Sequence, residues 1–214
     1  LVFFGMLSMA LAAAFMIRQN DYKRMLAYSS IEHMGILALG VGVGGLAGAG
    51  AMLHAVNHSL VKGMLFLISG HLLFIYGSKK THDVRHILKT APLTGILWIA
   101  GFFAVTGSPP FGTFLSEMTI LKGMLDAGRW GLAAGYLLAL GIIFIAMARI
   151  FISMSFGMPD KDISFDRLPV NQREPSWFSW PAVIMASVIL CLGLYVPGPF
   201  WAFLGRAADM TGGF

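Results

Sequence analysis

The chain has 214 residues, of which 57% are hydrophobic and only 12% are charged, whereas about 25% of the residues of an ordinary soluble domain are charged. Its mean hydropathy of +0.76 indicates an integral membrane protein. The net charge of +5 comes from short basic segments between apolar ones, without an aromatic-interleaved basic stripe, which argues against a nucleic-acid surface.

Six apolar segments follow one another along the chain, at 1–17, 25–44, 48–77, 91–126, 130–155 and 178–197. A membrane helix needs about 20 apolar residues, and unbroken apolar runs favour helices over barrel strands. The sequence therefore predicts an all-α polytopic transmembrane helix bundle with about six spans. The first segment begins without a methionine or a basic stretch, so we expect a truncated transmembrane helix and a fragment of a longer protein.

The fourth segment is interrupted in its middle, where it reads Thr106-Gly-Ser-Pro-Pro-Phe-Gly-Thr113. Two successive prolines flanked by glycines cannot continue an α-helix, so a helix break is expected at Gly107, Pro109, Pro110 and Gly112. Broken backbone at membrane depth is tolerated inside protein or beside a water-filled cavity, and it recurs in transporters. Segment 91–126 is therefore predicted to be one discontinuous span with a functional break.

Counting that segment as one crossing places most basic residues on one side of the membrane. The loops 18–24, 78–90 and 156–177 then share a side and contain Arg18, Lys23, Arg24, Lys79, Lys80, Arg85, Lys89, Lys161, Arg167 and Arg173. The opposite side holds Arg129 and Arg206. By the positive-inside rule, the first side is predicted to be cytoplasmic.

The third segment carries His54, His58 and Lys62 at four-residue steps. Four residues turn a helix by about 400° and raise it by about 6 Å, so these side chains form a ladder along one helical face. Ionisable side chains inside a membrane are expensive and usually functional, and a neutral imidazole can accept a proton at one nitrogen while it donates at the other. The ladder predicts proton transfer. Snorkelling is the alternative for Lys62, which lies too deep for easy escape.

Two further ionisable groups are candidates for the same path. His33 lies in the second segment, and Glu117 follows the break, where a helix N-terminus favours a negative charge. Glu32, beside His33, is either a structural partner or a second proton group. His33 alone is equally well explained as a packing residue, and His54 as an interfacial one. His71, Lys122 and Arg149 are interpreted as interfacial, packing or snorkelling residues.

Cys191 is the only cysteine, which excludes a disulfide framework, a CxxC pair and a four-thiolate iron–sulfur cluster. No cofactor and no metal is expected in this chain, so that any redox chemistry belongs to partner subunits. A remote alternative is a haem carrier with His33 and His58 as its two axial ligands.

Three motifs in order carry a family resemblance: Asp21-Tyr-Lys-Arg-Met-Leu-Ala-Tyr-Ser-Ser-Ile-Glu-His-Met-Gly35, His54-Ala-Val-Asn-His58-Ser-Leu-Val-Lys62-Gly-Met-Leu-Phe, and Gly107-Ser-Pro-Pro-Phe-Gly-Thr-Phe-Leu-Ser-Glu117. The chain resembles the antiporter-like subunits shared by respiratory complex I, Mrp cation/proton antiporters and energy-converting membrane hydrogenases. The Ser-Ile-Glu-His-Met-Gly form looks most like the hydrogenase and formate hydrogenlyase branch.

The resemblance implies about fourteen helices in two inverted repeats, each with a discontinuous helix. Residues 1–177 would correspond to most of the second repeat, and 178–214 to a closing transmembrane helix and tail. The motif matches imply that His54, His58, Lys62 and Glu117 belong to a central proton-transfer axis. His33 lies in the matching helix at a position that varies within the family. The first repeat, with the other half of the path, is absent from this sequence.

The resulting hypothesis is a proton-translocating, non-redox subunit of an oxidoreductase complex in a bacterial or archaeal cytoplasmic membrane. Its partners would be other membrane subunits, peripheral redox subunits and the lipid bilayer. An Mrp-type sodium/proton antiporter subunit is the alternative, with backbone carbonyl groups at the break as ligands for Na⁺. The sequence leaves proton and sodium unresolved.

Overall fold

The structure is a computed structural model that describes residues 1–158 and 176–211, with the side chains of 176–178 left out. The described residues form nine helices: α1 (Val2–Met16), α2 (Tyr22–Val43), α3 (Gly45–Tyr76), α4 (Ile87–Thr90), α5 (Pro92–Val105), α6 (Gly112–Asp126), α7 (Trp130–Phe156), α8 (Ser176–Leu194) and α9 (Gly198–Thr211). The predicted all-α class is confirmed for this part of the chain.

Three helices, α2, α3 and α7, are long and apolar enough to cross a membrane on their own. The number rises to four if α8 and α9, which are bent by 87° at their junction, are counted as one span. The helices α1 and α5 are apolar but shorter. The structure therefore supports a helical membrane bundle, while the count of about six crossings remains a prediction.

Local chemistry explains where the long helices begin and end. Asp21 caps α2, because its side chain accepts hydrogen bonds from the backbone N–H groups of Lys23 and Arg24 at 2.9 and 3.0 Å. Gly44, with φ of +78°, makes the tight turn from α2 to α3. Gly77, with φ of +65°, ends α3 in the left-handed conformation that glycine adopts without a steric penalty.

The helices α5 and α6 lie along α3 and continue in one direction on both sides of the break. Contacts along α3 pair His71 with Thr94, Leu65 with Gly101, His54 with Ser116, and Gly50 with Ile120. The residue numbers fall in α3 as they rise from α5 to α6. The two half-helices therefore run together antiparallel to α3, which is the arrangement expected for one discontinuous span.

The basic loops 18–24 and 78–90 meet at one end of the bundle. The N–H of Tyr22 donates to the carbonyl of Lys79 at 3.2 Å, and the N–H of Thr81 donates to the carbonyl of Asn20 at 2.9 Å. The guanidinium of Arg85 donates to the carbonyl of Met158 at 2.8 Å, which brings the start of the third basic loop to the same end. Lys161, Arg167 and Arg173 lie outside the described residues.

The last part of the chain differs from the expected apolar segment and tail. The helix α8 ends at Leu194, before the predicted limit of 197, and most of the tail forms α9. On α9, Leu204 and Ala208 are buried while Phe203 and Met210 are exposed. A two-sided helix of this kind has a low mean hydropathy, so hydropathy alone does not detect it.

Two hydrophobic clusters pack at different levels of the bundle. The cluster nearer the basic loops surrounds Tyr22, Trp98 and Phe151. The other cluster surrounds Ile36 and Tyr136. Along α2, α3 and α6, buried polar residues occupy the positions between these clusters. The fold thus encloses a polar layer within an apolar bundle.

Candidate functional site: a buried polar layer at the helix break

All six ionisable residues singled out from the sequence are buried in this layer. They come from three helices, α2, α3 and α6, and are Glu32, His33, His54, His58, Lys62 and Glu117. None of these residues is more than 7% exposed. The side chain of His54 is fully enclosed by the protein.

His54 is the centre of a hydrogen-bonded line that crosses three helices. Its Nε2 lies 2.9 Å from Nδ1 of His33, and its Nδ1 lies 2.9 Å from Oγ of Ser116. The Ser116 hydroxyl donates its proton to the carbonyl of Thr113 at 2.8 Å. Ser116 must therefore accept from Nδ1–H of His54, so Nε2 of His54 accepts from Nδ1–H of His33. We assign these tautomers from the bonding pattern.

The imidazole of His33 lies between the two histidines of α3. Its ring centroid is 4.7 Å from that of His58 and 5.0 Å from that of His54, whereas His54 and His58 are 6.4 Å apart. The sequence predicted a ladder along α3 alone, because helical spacing contains no information about the neighbouring helix. In the structure, a side chain from α2 joins the two histidines of that ladder.

Lys62 turns away from its own helix and binds α2. Its ammonium donates to the carbonyl of Leu26 at 2.7 Å and to the hydroxyl of Ser29. A side chain held in this way does not snorkel to the membrane surface. Glu32, one helical turn beyond Ser29, is near enough to interact electrostatically with both Lys62 and Glu117.

Glycines allow two polar side chains to approach the break closely. Gly107 has φ of +60°, and a Cβ atom at this position would collide with the carboxyl group of Glu117. A Cβ atom at Gly112, the first residue of α6, would collide with the amide of Asn57. The Pro109–Pro110 peptide bond is cis. The predicted break residues therefore form the backbone surface against which Glu117 and Asn57 pack.

The hydroxyl of Thr113, in the first turn of α6, donates to the carbonyl of Ala104 near the end of α5. This contact joins the two half-helices to each other. The break is thus an ordered structure within the polar layer.

Four neutral residues of the layer were missed by the sequence analysis: Ser29, Asn57, Ser116 and Tyr136. Asn57 and Tyr136 are fully buried, and the described residues provide no hydrogen-bond partner for the Asn57 amide or the Tyr136 hydroxyl. Tyr136 interacts electrostatically with Glu117 and Glu32. Ser29, Asn57 and Ser116 lie within the three motifs quoted above, which was the sequence signal that pointed to them.

The other ionisable residues agree with the simpler interpretations. Lys122 is exposed and pairs with Asp126 at 2.5 Å, and Arg149 is exposed on α7. His71 is buried, with Nδ1 2.9 Å from the hydroxyl of Thr94, in agreement with a packing role. The rings of His33 and His58 are in contact, which leaves no gap for a porphyrin between them, so the geometry gives the haem alternative no support.

The arrangement of motifs is matched by a family model described as NADH:quinone oxidoreductase/Mrp antiporter, TM, over residues 1–142. The chain belongs to this family. The match includes the buried polar layer from α2 to α6 together with the break. The predicted family is therefore confirmed, and the chain is an antiporter-like integral membrane protein.

Similar proteins include members of more than one branch of the family. A hydrogenase-4 component F homolog of Methylacidiphilum infernorum is 32% identical over 90% of this chain and 39% of its own length. Antiporter subunit mnhD2 of Staphylococcus aureus strain Mu3 is 31% identical over 89% of this chain and 38% of its own length. The chain thus spans about two fifths of the length of these curated relatives.

A chain in the structure of respiratory complex I from Thermus thermophilus with bound NADH is similar in fold. Its TM-score is 0.79 at 27% sequence identity, over 100% of this chain and 44% of that chain. The agreement in fold covers α1 to α9, including the parts that follow residue 142.

Proposed function

We propose that the chain is part of a proton-translocating membrane subunit in which His33, His54, His58, Lys62 and Glu117 relay protons, with Glu32 as a secondary group. The observation that carries this proposal is the hydrogen-bonded line from His33 through His54 to Ser116, which ends beside Glu117 at the break. Simple packing does not require three contacting imidazoles, a lysine and two carboxyl groups inside an apolar bundle.

The contacts suggest an order for the relay. Lys62 and Glu32 interact between α3 and α2, and His58 follows one helical turn from Lys62. The rings of His58, His33 and His54 are neighbours, and His54 bonds Ser116 on α6. The Ser116 hydroxyl donates to the carbonyl of Thr113, so it must rotate towards Glu117 to pass a proton on. Each imidazole passes a proton by accepting at one nitrogen and releasing from the other. After one transfer the tautomers must return before a second proton can follow the same route.

The topology belongs to the same proposal. Residues 1–177 form the second inverted repeat and 178–214 a closing helix and tail, with about six crossings when α5 and α6 count as one. The basic loops 18–24, 78–90 and 156–177 face the cytoplasm. The contacts between the first two loops support their common side. The membrane is proposed to be a bacterial or archaeal cytoplasmic membrane.

The partners and the transported ion are proposed as follows. The complete subunit assembles with other membrane subunits and with peripheral redox subunits that hold the cofactors, in a hydrogenase-like complex. The Glu32-His33 pair in the α2 motif supports this branch. The second candidate is an Mrp-type sodium/proton antiporter subunit, because the relative named mnhD2 is almost equally similar. Dependence of transport on Na⁺ separates the two.

The experiment compares Lys62→Ala and Lys62→Arg in the full-length subunit within its complex, reconstituted into lipid vesicles. Arginine keeps the positive charge but does not release its proton near neutral pH. We expect both variants to lose at least nine tenths of coupled proton transport while redox turnover persists. Lys122→Ala removes an exposed lysine and serves as the matched control with wild-type transport.

Full transport by Lys62→Arg would contradict proton release from Lys62, and full transport by both variants would remove Lys62 from the path. Transport that stops when Na⁺ is withdrawn would favour the antiporter candidate. A pH electrode and a sodium-sensitive dye, used on the same vesicles, measure these outcomes.

A further inference from the structure

Three side chains of the polar layer have the chemistry and spacing of a transition-metal site. A nitrogen of His33, a nitrogen of His54 and a carboxylate oxygen of Glu117 all lie within 4.8 Å of one another. The three residues come from α2, α3 and α6, and none is more than 3% exposed. Two imidazoles with one carboxylate match Zn²⁺, which binds such ligands at about 2.0 to 2.2 Å, better than they match Na⁺, Mg²⁺ or Ca²⁺, which prefer oxygen.

The surroundings of the histidines also suit a metal. Ligating histidines usually donate their second N–H to an oxygen, which fixes the ring and its tautomer. Nδ1–H of His54 already donates to Ser116, so that the lone pair of Nε2 points towards His33. The other nitrogen of His33, Nε2, is buried and has no hydrogen-bond partner among the described residues. The ring of His54 therefore already has a supporting oxygen, and His33 offers a second buried imidazole.

We propose that His33, His54 and Glu117 form a binding site for Zn²⁺, and that the bound ion reversibly blocks proton transfer through the polar layer. The second half of this statement rests on the proposed function, whereas the binding site does not. A water molecule or solvent-derived hydroxide would complete the tetrahedral coordination that Zn²⁺ prefers.

Small movements are sufficient to form the site. Ligand atoms of a tetrahedral zinc ion are about 3.3 Å apart, from bond lengths of about 2.0 Å. The His33 and His54 nitrogens, now 2.9 Å apart, would separate slightly, and rotation of the Glu117 side chain would bring its oxygen closer. The proton on Nδ1 of His33 moves to Nε2, and Glu117 binds as the carboxylate.

The block follows from the ligand set. Zinc occupies the lone pairs through which His33 and His54 exchange a proton, and it holds the carboxylate of Glu117. Because the three groups are buried, the ion must enter through a local opening of the bundle. Inhibition is therefore expected to develop slowly after Zn²⁺ is added and to reverse when a chelator is supplied.

The test measures Zn²⁺ binding to the full-length complex, purified without added metal, by metal analysis after gel filtration and by competition with a chelating dye. We expect His33→Gln and Glu117→Gln each to weaken one zinc site at least tenfold. Ser116→Ala, which removes the oxygen behind His54, is expected to weaken the site about tenfold or more. His71→Gln, a change of a buried histidine on α3 outside this trio, should leave Zn²⁺ binding and transport at wild-type levels.

X-ray absorption at the zinc edge provides a measurement that does not depend on variants. We expect the spectrum to show two imidazole ligands, with oxygen atoms as the remaining ligands. Fewer than two imidazoles would overturn the site. Equal Zn²⁺ affinity in the wild type and in His33→Gln would overturn it as well.

Transport assays separate the two proposals. Slow inhibition of the wild type by Zn²⁺, at the concentrations that fill this site, supports both. Zinc bound at the trio without any effect on transport would refute the route through His33 and His54 but would leave the metal site standing. Loss of transport in His33→Gln, together with no zinc binding by the wild type, would refute the metal site but would leave the relay standing.

Discussion

Two histidines on α3 are equally buried and make the same kind of hydrogen bond, but the groups around them differ. His54 and His71 are each less than 4% exposed, and Nδ1 of each lies 2.9 Å from a hydroxyl oxygen, of Ser116 and Thr94 respectively. On the other side of its ring, His54 contacts the imidazole of His33, which in turn contacts that of His58. His71 borders a small cavity whose other described lining residues are apolar or carry hydroxyl groups: Leu67, Ile68, Thr94, Leu97, Ser179 and Ala182.

The comparison indicates that burial and one hydrogen bond do not identify a functional histidine in a membrane protein. Either residue could be explained as a helix–helix contact, which contributes about 0.6 kcal/mol on average in membranes. The line through His54 is continuous, since an atom that can exchange a proton lies within hydrogen-bond distance on each side of its ring. Proton transfer needs this continuity, whereas packing does not.

The largest expected effect comes from exchanging the two histidines for glutamine. Glutamine retains hydrogen-bonding capacity but does not exchange protons near neutral pH, so that proton exchange is the property that both variants lose. His54→Gln is expected to lose at least nine tenths of proton transport in the reconstituted full complex, and His71→Gln to retain it. Equal losses in the two variants would contradict the conclusion that His54 and His71 have different roles.

An intermediate effect is expected when a methyl group is added at the break. Alanine at a positive φ costs about 1 to 2 kcal/mol, and both Gly107 and Gly128 have such values, +60° and +70°. Only at Gly107 would the new Cβ atom collide with Glu117, since nothing lies within 4 Å of the Cβ position at Gly128. Gly107→Ala should therefore lower transport about fivefold, which is about 1 kcal/mol at 25 °C.

Gly128→Ala is the control for backbone strain. Its transport should stay at the wild-type level, while its unfolding temperature falls about as much as that of Gly107→Ala. If both variants transport equally well, the close approach of Gly107 to Glu117 has no role in proton transfer. Thermal unfolding of the purified complex and proton uptake by vesicles measure the two effects separately.

The smallest expected effect concerns Ser116. Ser116→Ala removes the acceptor of the His54 Nδ1–H and releases the tautomer, but it leaves the His33–His54 contact in place. We expect proton transport to slow about threefold, which corresponds to about 0.6 kcal/mol, the typical contribution of such a contact in membranes. Ser59→Ala, at an exposed serine of α3 that bonds the carbonyl of Ala55, should not slow transport. A normal rate in Ser116→Ala would show that His54 does not depend on this hydroxyl.

The sequence was sufficient to predict the helical class, the break and the buried ionisable residues, because charge inside an apolar segment is a strong local signal. The position of His33 between His54 and His58 was not predictable, since it depends on how α2 packs against α3. Ser29, Asn57, Ser116 and Tyr136 are neutral and give no such signal. The helix α9 was missed because its apolar residues lie on one face only.

The length of α3 has a consequence for the position of the polar layer in the bilayer. Its 32 residues extend about 48 Å at 1.5 Å per residue, whereas the hydrocarbon core is about 30 Å thick. A tilt within the observed range of about 0 to 40° does not absorb this difference, so an end of α3 projects beyond the hydrocarbon. Lys62 is separated from both ends of α3 by several helical turns. A proton at Lys62 is therefore far from both membrane surfaces. It depends on other proton-carrying groups to reach either surface.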